Sequence, residues 1–275
     1  MRFAILVLAA TLVAGGPAVA ETLALNGATA PGGLLTGKVP MGSVVKLGGK
    51  TIPLADDGSF LVGFGRDAKG PATLDVRYPD GSSETKQLSL ESRTWNIQRI
   101  DGLPKRKVTP APADLKRIKA EKKLVRVARM IALETRHPFF ASGFAWPVTG
   151  RVSGVYGSQR ILNGQPRRPH FGTDVAAPDG TPVKAMADGL VAVAHQGMFF
   201  NGKTVILDHG LGLTSAYIHM SAVAVKAGDR VTKGQSIGAV GATGRATGPH
   251  LHWGVTLRGT PLDPALLVGP MRKPE

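Results

Sequence analysis

Apolar and polar residues alternate in short runs through the first third of the chain, as at positions 43–47 and 72–78. Turn-forming residues separate the runs, notably DDG at 56–58 and PDGS at 79–82. Alternation with a period of two is typical of strands that bury one face, and closely spaced short strands favour a β-sandwich. The pattern therefore predicts a small antiparallel sandwich over residues 21–100, and no residue in it has the setting of a catalytic group.

The periodicity changes to that of a helix after the Pro-rich stretch at 101–112. We predict an amphipathic helix over 114–136, with Asp114 as its N-cap and Pro138 ending it. Its predicted apolar stripe comprises Leu115, Ile118, Val125, Ala128 and Ala132. Because the stripe contains alanine and no aromatic residue, packing on a neighbouring domain is favoured over lying on a membrane. Residues 101–140 then form a basic linker, in which His137 is expected to interact with the helix dipole.

The remaining residues, 141–275, are rich in glycine and again have a strand pattern. Strands are expected at 190–194, 203–208, 213–220 and 251–257, and a tight hairpin with two glycine turns at 225–238. The chain as a whole is thus predicted to be mainly β, with a sandwich at 21–100, a basic linker with a helix at 101–140, and an antiparallel β domain at 141–275. The sandwich resembles, in its pattern of strands and turns, the Ig-like modules often attached to exported hydrolases.

The first twenty residues and the composition of the chain predict where in the cell the protein is located. Residues 1–20 combine Arg2, an apolar run and the small residues Ala18-Val19-Ala20, which is the pattern of a secretory signal peptide. No second long apolar run follows, so stable insertion in a membrane is not expected. The chain has no cysteine, which excludes disulfides and a thiolate nucleophile. We predict an exported protein, periplasmic or associated with the cell wall.

The formal net charge of +15 narrows the expected partners. Residues 101–138 contain eleven Lys or Arg against four Asp or Glu. An exported basic protein meets anionic wall polymers or membrane surfaces, whereas no basic–aromatic interleaving indicates nucleic acid. A basic helix that is simply solvated is an equally good interpretation of the charge.

The chemistry is concentrated in three short segments of the last domain. His170 and Asp174 are four residues apart, His250 and His252 are two apart, and Tyr217 and His219 are two apart. Even spacing in an extended strand places each pair on one face. Imidazoles and one carboxylate that face a common cleft are suited to a catalytic zinc. The alternative is that Asp174 pairs with an arginine just upstream, namely Arg160, Arg167 or Arg168.

Residues 146–264 resemble the lysostaphin/LytM-type zinc metallopeptidases, which cut peptidoglycan peptides. The resemblance includes GVYGSQR at 154–160, HFGTD at 170–174, APDGTPVKA at 177–185, DHG at 208–210 and GATGRATGPHLH at 241–252. It implies that one Zn²⁺ per chain is held by three ligands, His170, Asp174 and His252. It also implies catalytic roles for His219 and His250. We assign His250 as general base and His219 as the group that stabilises the oxyanion; the two roles are open to exchange.

The resemblance has one departure and leaves several alternatives. Many relatives have a glutamate where this chain has Gly254, so a contact around the ligands is either missing or supplied elsewhere. His195 and His209 complete no ligand set and are interpreted as structural. The expected substrate is a peptidoglycan peptide, cut at a D-Ala–diaminopimelate cross-link in a Gram-negative host or at a Gly-Gly bond. The main alternative is a non-catalytic LytM-like module that binds the wall and activates a separate murein amidase. A third interpretation, a basic wall-binding or structural protein, would explain the positive charge but not the five site residues. Whether the N-terminal domain or the helix shields the site is left open.

Overall fold

A computed structural model describes residues 23–100, 111–162 and 164–271, and these residues form a mainly β protein with few helices. The predicted signal peptide at 1–20 lies outside the described residues, as do residues 101–110 of the predicted linker. In the described part of the chain, no helix is long and apolar enough to cross a membrane.

Seven short strands form what we call the N-terminal unit. They are β1 (Leu25–Gly27), β2 (Leu34–Lys38), β3 (Val44–Leu47), β4 (Lys50–Ile52), β5 (Ser59–Gly63), β6 (Ala72–Arg77) and β7 (Ser83–Leu88). One antiparallel sheet has the order β1-β2-β5 and the other β4-β3-β6-β7. The alternating apolar residues of both sheets meet in one core, where Val45, Phe60 and Leu74 are fully buried. The unit is thus made of the alternating runs and turns seen in the sequence.

Helix α1 (Pro112–Ala132) follows, and its ends differ from the predicted ones. Its N-cap is Ala111, Pro112 occupies the first turn, and Asp114 lies inside that turn without capping it. The prediction of Asp114 as N-cap was therefore wrong, because proline already suits the first helical position. His137 lies five residues beyond the helix and packs edge-on against Phe139, with ring centroids 4.4 Å apart, so it is not a partner of the helix dipole.

The buried side of α1 contains Ile118, Ala128 and Ala132, with Val125 partly buried. Leu115 of the predicted stripe is instead 52% exposed. Ala128 packs on Val193, Met198 and Ile206 of the large sheet described next. A second group of apolar side chains faces solvent and was not predicted: Leu124, Val127, Met130 and Ile131.

The C-terminal unit is built on an eight-stranded antiparallel sheet. Its strands are β9 (Arg151–Gly154), β12 (Thr173–Ala176), β14 (Gly189–Met198), β15 (Gly202–Asp208), β16 (Leu213–Met220), β18 (Arg230–Val231), β20 (His250–Leu257) and β21 (Thr260–Leu262). The order is β18-β14-β15-β16-β20-β12-β9, with β21 also paired to β20. The four strands predicted in this region lie within β14, β15, β16 and β20.

Three smaller elements complete this unit. A second sheet has the order β13-β19-β17, with β13 (Pro182–Lys184), β17 (Ala222–Val223) and β19 (Ser236–Ala239). A 3₁₀ helix covers Phe139–Ser142, and α2 covers Ala265–Val268. The predicted hairpin at 225–238 was wrong: β18 pairs with β14, whereas β19 pairs with β13 and β17. Strand β18 therefore lies at the edge of the large sheet, whereas β19 is the central strand of the small one.

The two units share a core and a mixed sheet. Leu34, Ala55 and Leu61 of the N-terminal unit belong to the main core of the C-terminal unit. After β7, strand β8 (Ile97–Ile100) pairs in parallel with β10 (Gln159–Leu162), which also pairs with β11 (Gln165–Pro166). The N-terminal unit is therefore joined to the loop region that precedes β12.

Candidate metal centre

Strand β20 places two histidines on one face of the large sheet. Leu251 and Trp253 are fully buried in the core, so the alternate residues His250 and His252 lie on the opposite face, as predicted. In the antiparallel register, Asp174 of β12 lies opposite His252. Opposite residues share a face. Asp174 Oδ1 and His252 Nδ1 are consequently only 2.7 Å apart.

His170 reaches the same point from outside the sheet. It precedes β12 and is not part of a strand, so the extended His170–Asp174 segment assumed from the sequence was wrong. Its backbone N–H donates to Ser158 O and its carbonyl accepts from Gly157 N–H, both at 2.8 Å. Its Nδ1 lies 3.0 Å from Val155 O and donates to that carbonyl. This bond directs Nε2 toward Asp174 Oδ1 at 3.1 Å and His252 Nδ1 at 3.0 Å.

His170, Asp174 and His252 thus form a group that could hold a metal ion, with all ligand atoms within 4.8 Å of one another. Two imidazole nitrogens and one carboxylate oxygen are the donors of a three-ligand zinc site. Tetrahedral zinc with bonds of about 2.0 Å separates its ligand atoms by about 3.3 Å, slightly more than observed here. The donor set therefore fits zinc after an opening of a few tenths of an ångström.

The electrostatics of this three-residue group also suit a cation. Burial raises the pKa of Asp174, but its hydrogen bonds with His170 and His252 outweigh burial and hold that pKa well below its usual range. Burial is also the main reason that the pKa of His252 is lowered, opposed by Asp174. The carboxylate therefore stays ionised, and the ring of His252 is kept neutral, which is the form that binds metal.

No arginine contacts Asp174 in the described part of the chain. Arg168 instead lies over the ring of Phe171, with its guanidinium carbon 5.0 Å from the ring centroid. Arg167 makes no ion pair among the described residues, and its backbone carbonyl accepts from Gln159. The arginine alternative for Asp174 is not observed for these two residues, and the side chain of Arg160 lies outside the description.

His219 joins the site through an irregularity in β16. Its φ is 65°, and the pairing of β15 with β16 shifts register beside it. The extra residue of this bulge turns the ring to the face of β20 that carries the other histidines, 4.9 Å from the ring centroid of His250. His219 Nδ1 donates to Thr243 O at 2.8 Å, and His250 Nδ1 donates to Gly248 O at 2.8 Å. Both Nε2 atoms are then left as acceptors. Burial lowers the pKa of His219 to about 4.

Tyr217 does not share a face with His219, so that prediction was wrong. Tyr217 lies opposite Trp253 and is fully buried. Its hydroxyl accepts from Met186 N–H at 2.9 Å and lies 3.0 Å from Ser215 Oγ. Burial raises its pKa well above the usual range. The bulge, which a period of two cannot reveal, separates the two residues.

The other two histidines of this region lie in different surroundings. His209 is fully buried; Nδ1 donates to Asp188 O at 2.6 Å, and Nε2 lies 2.7 Å from Ser215 Oγ. Burial lowers its pKa to about 4. His195 Nδ1 accepts from Gly197 N–H at 3.0 Å. Neither belongs to the three-residue group.

The backbone carbonyls that orient the histidines were missed by sequence reasoning. Val155, Thr243 and Gly248 each contribute a carbonyl, and a carbonyl has no signature in a sequence. Gly172 is needed for space, because a Cβ there would lie 2.6 Å from His252 Cε1. At Gly254, a Cβ would lie 3.1 Å from Phe171 O and 3.7 Å from His252 Nε2. A glutamate at that position would therefore start beside His252, and no described residue takes its place there.

A protein-family model, a crystal structure and several curated proteins that match this chain are all named as peptidases. Residues 168–264 match the model of peptidase family M23. A crystal structure from Pseudomonas aeruginosa, titled as a peptidase M23, is 33% identical and superposes with a TM-score of 0.63, covering 88% of this chain and 95% of that one. The peptidoglycan DD-endopeptidase ShyA of Vibrio cholerae is 44% identical over 95 residues, which is 34% of this chain and 22% of that protein. The DD-carboxypeptidase/endopeptidase Mpg of Neisseria meningitidis is 42% identical over 104 residues, 38% of this chain and 24% of that protein. The chain thus spans about a quarter of the length of the curated relatives it matches.

Proposed function

This chain belongs to peptidase family M23, and we propose on that basis that it is a zinc-dependent endopeptidase that hydrolyses peptide cross-links of bacterial peptidoglycan. The observation that carries the proposal is the convergence of His170, Asp174 and His252 on one point, with His219 and His250 next to them. Relatives that are named peptidoglycan endopeptidases support the substrate class.

One Zn²⁺ per chain would be held by His170 Nε2, Asp174 Oδ1 and His252 Nδ1. When bound, zinc activates water for attack and polarises the scissile carbonyl. The hydrogen bond from His170 Nδ1 to Val155 O fixes the tautomer that leaves Nε2 as a ligand. The register between β12 and β20 holds the other two ligand atoms together.

His250 acts in this proposal as the general base, which takes a proton from the attacking water and returns it to the leaving amine. Burial makes the ring of His219 a weak base, which favours His250 for that role. His219 then stabilises the negative charge that develops on the carbonyl oxygen. Since Nδ1 is held by Thr243 O, Nε2 must be protonated for this step, and the developing charge offsets the cost of that protonation.

The remaining expectations belong to the same proposal. We propose export through the signal peptide at 1–20, a location in the periplasm or at the wall, and the domain organisation 21–100, 101–140 and 141–275. The two sheets of the N-terminal unit are consistent with an Ig-like sandwich. Relatives named DD-endopeptidases support a D-Ala–diaminopimelate cross-link over a Gly-Gly bond. A non-catalytic module that activates an amidase is disfavoured, because that reading leaves the complete set of five site residues unexplained.

The test combines metal analysis with digestion of purified muropeptides. We expect about one zinc per chain and release of un-cross-linked peptides by the unaltered protein. His250→Ala should retain zinc but lose at least about 100-fold in kcat. His195→Ala is the matched control, a histidine outside the group, and should behave as the unaltered protein. A chain that binds no zinc, or a His250→Ala variant that digests equally well, refutes the proposal.

A further inference from the structure

Two side chains from outside the C-terminal unit lie directly against the loop that holds His170. Arg66 follows β5 of the N-terminal unit, and its Nε donates to Gly157 O at 2.9 Å. The Arg66 side chain is only 10% exposed. Trp95 precedes β8, and its ring lies so close to Gly157 that a Cβ added to Gly157 would overlap the ring. Gly157 has a φ of 82°, so both its conformation and its space require glycine.

Arg66 and Trp95 support one another. The Arg66 guanidinium carbon lies 5.0 Å from the centroid of the Trp95 ring, and that of Arg93 lies 4.6 Å from the same ring. Arg93 is itself anchored to the C-terminal unit by an ion pair with Asp263 at 2.8 Å. Tyr156 packs edge-on against Trp95 with centroids 5.7 Å apart. The indole is thus fixed by cations and an aromatic ring, contacts that restrict its movement.

From Gly157 the contacts continue to His170 in one step. The carbonyl of Gly157 accepts from Arg66, while its N–H donates to His170 O at 2.8 Å. The same loop provides Val155 O, the acceptor for His170 Nδ1 at 3.0 Å. Strand β8 adds a further restraint, because its register with β10 begins at Gln159, whose N–H donates to Asn96 O at 2.9 Å.

We propose that Arg66 and Trp95 are positioning residues, which hold the loop at 155–158 and thereby fix His170 in its metal-binding orientation. The inference rests on the proposed zinc site and adds a role for the N-terminal unit: it supports the site. His170 is the ligand that needs such support, since it lies outside the sheet, whereas Asp174 and His252 are held by strand pairing. Neither Arg66 nor Trp95 touches the group of ligand atoms, so both act through the loop.

The test compares Arg66→Ala with Asp67→Ala in the full chain. Asp67 pairs with Arg66 Nη1 at 2.6 Å but is 79% exposed, so its removal leaves the bond from Nε to Gly157 in place. We expect Arg66→Ala to weaken zinc binding about tenfold in a chelator competition. The visible absorption of the Co²⁺-substituted variant should change, since His170 ligation is altered. On muropeptides kcat should fall by a similar factor with KM unchanged, because Arg66 does not contact substrate. Asp67→Ala should match the unaltered protein in all three.

Amide hydrogen exchange of the metal-free protein gives a readout that is independent of zinc. Exchange at Gly157 should become about tenfold faster in Arg66→Ala, while core amides of β20 stay protected. If zinc affinity, the Co²⁺ spectrum and Gly157 exchange in Arg66→Ala all equal those of Asp67→Ala, the inference is refuted, even if the melting temperature falls. If the unaltered chain bound no zinc, the proposed function would fail, and the exchange comparison would still decide whether Arg66 supports the loop.

Discussion

Buried His209 should make the stability of this protein fall steeply with acid. Its Nδ1 donates to Asp188 O, and Nε2 can accept from the Ser215 hydroxyl 2.7 Å away. Ser215 Oγ can accept in turn from the Tyr217 hydroxyl, whose oxygen accepts from Met186 N–H. Every group in this buried chain is satisfied only when His209 is neutral. A protonated ring would have to donate at Nε2, which reverses the Ser215 hydroxyl and leaves the Tyr217 hydroxyl without an acceptor.

The size of the effect follows from the shifted pKa. Burial lowers the pKa of His209 from 6.5 to about 4 in the folded chain. Above the unfolded value neither state is protonated, and the stability contribution is fully present. As pH falls below 6.5, the unfolded chain binds a proton that the folded chain does not, so stability is lost until the folded pKa is reached. The loss is about 2 kcal/mol at about pH 5 and about 3 kcal/mol in full.

The assay is urea unfolding of the metal-free protein at about pH 7.5 and about pH 5, for the unaltered chain and His209→Asn. Asparagine retains an N–H for Asp188 O but does not titrate. Between the two pH values the unaltered chain should lose about 2 kcal/mol more than the variant, while titrating groups common to both proteins cancel in that difference. Equal losses in the two proteins would refute the reasoning. So would an NMR titration that shows the His209 ring protonated in the folded chain above about pH 6.

Two further outcomes are expected near the candidate centre. Asp174→Asn replaces the ionised ligand by a neutral amide, so zinc content should fall to near zero and kcat/KM should fall at least about 100-fold. The control is Asp179→Asn, which changes an exposed aspartate on the loop after β12. Full zinc occupancy in Asp174→Asn would contradict the ligand assignment. Thr243→Val removes the hydroxyl that accepts from Lys203 N–H at 2.9 Å and donates to Met220 O at 2.7 Å. Losing these two bonds should lower the free energy of unfolding in urea by about 2 kcal/mol and lower kcat, and Thr243→Ser should restore stability and kcat. Unchanged stability in Thr243→Val would show that these bonds contribute nothing.

Regular strand periodicity explains why part of the site could be predicted. His250 and His252 alternate with Leu251 and Trp253, and the core takes the apolar pair. Once the faces of β20 are fixed in this way, two histidines must share the other face. The alternating runs of the N-terminal third likewise predicted strands because each run buries one face in a common core.

Most of the remaining features depend on contacts between residues that lie far apart in the sequence. His170 is oriented by Val155, Gly157 and Ser158, whose backbone groups no side-chain pattern reports. The hairpin expected at 225–238 was wrong for a related reason: its two strands pair with β14 and β13, which are distant in sequence, and not with each other. The start of α1 was missed because Pro112 takes the position that Asp114 was expected to define.

The bulge at His219 shows why the fifth site residue requires a departure from regular structure. In a regular strand His219 would share the core face with Tyr217, which pairs with the buried Trp253. An imidazole on that face would be buried without access to substrate. A left-handed conformation at a residue other than glycine costs about 1–3 kcal/mol. Two hydrogen bonds offset that cost, from His219 N–H to Asn201 O and from Nδ1 to Thr243 O, both 2.8 Å long. The chain therefore accepts local strain in β16 in order to bring His219 to the face that holds His250 and the three candidate ligands.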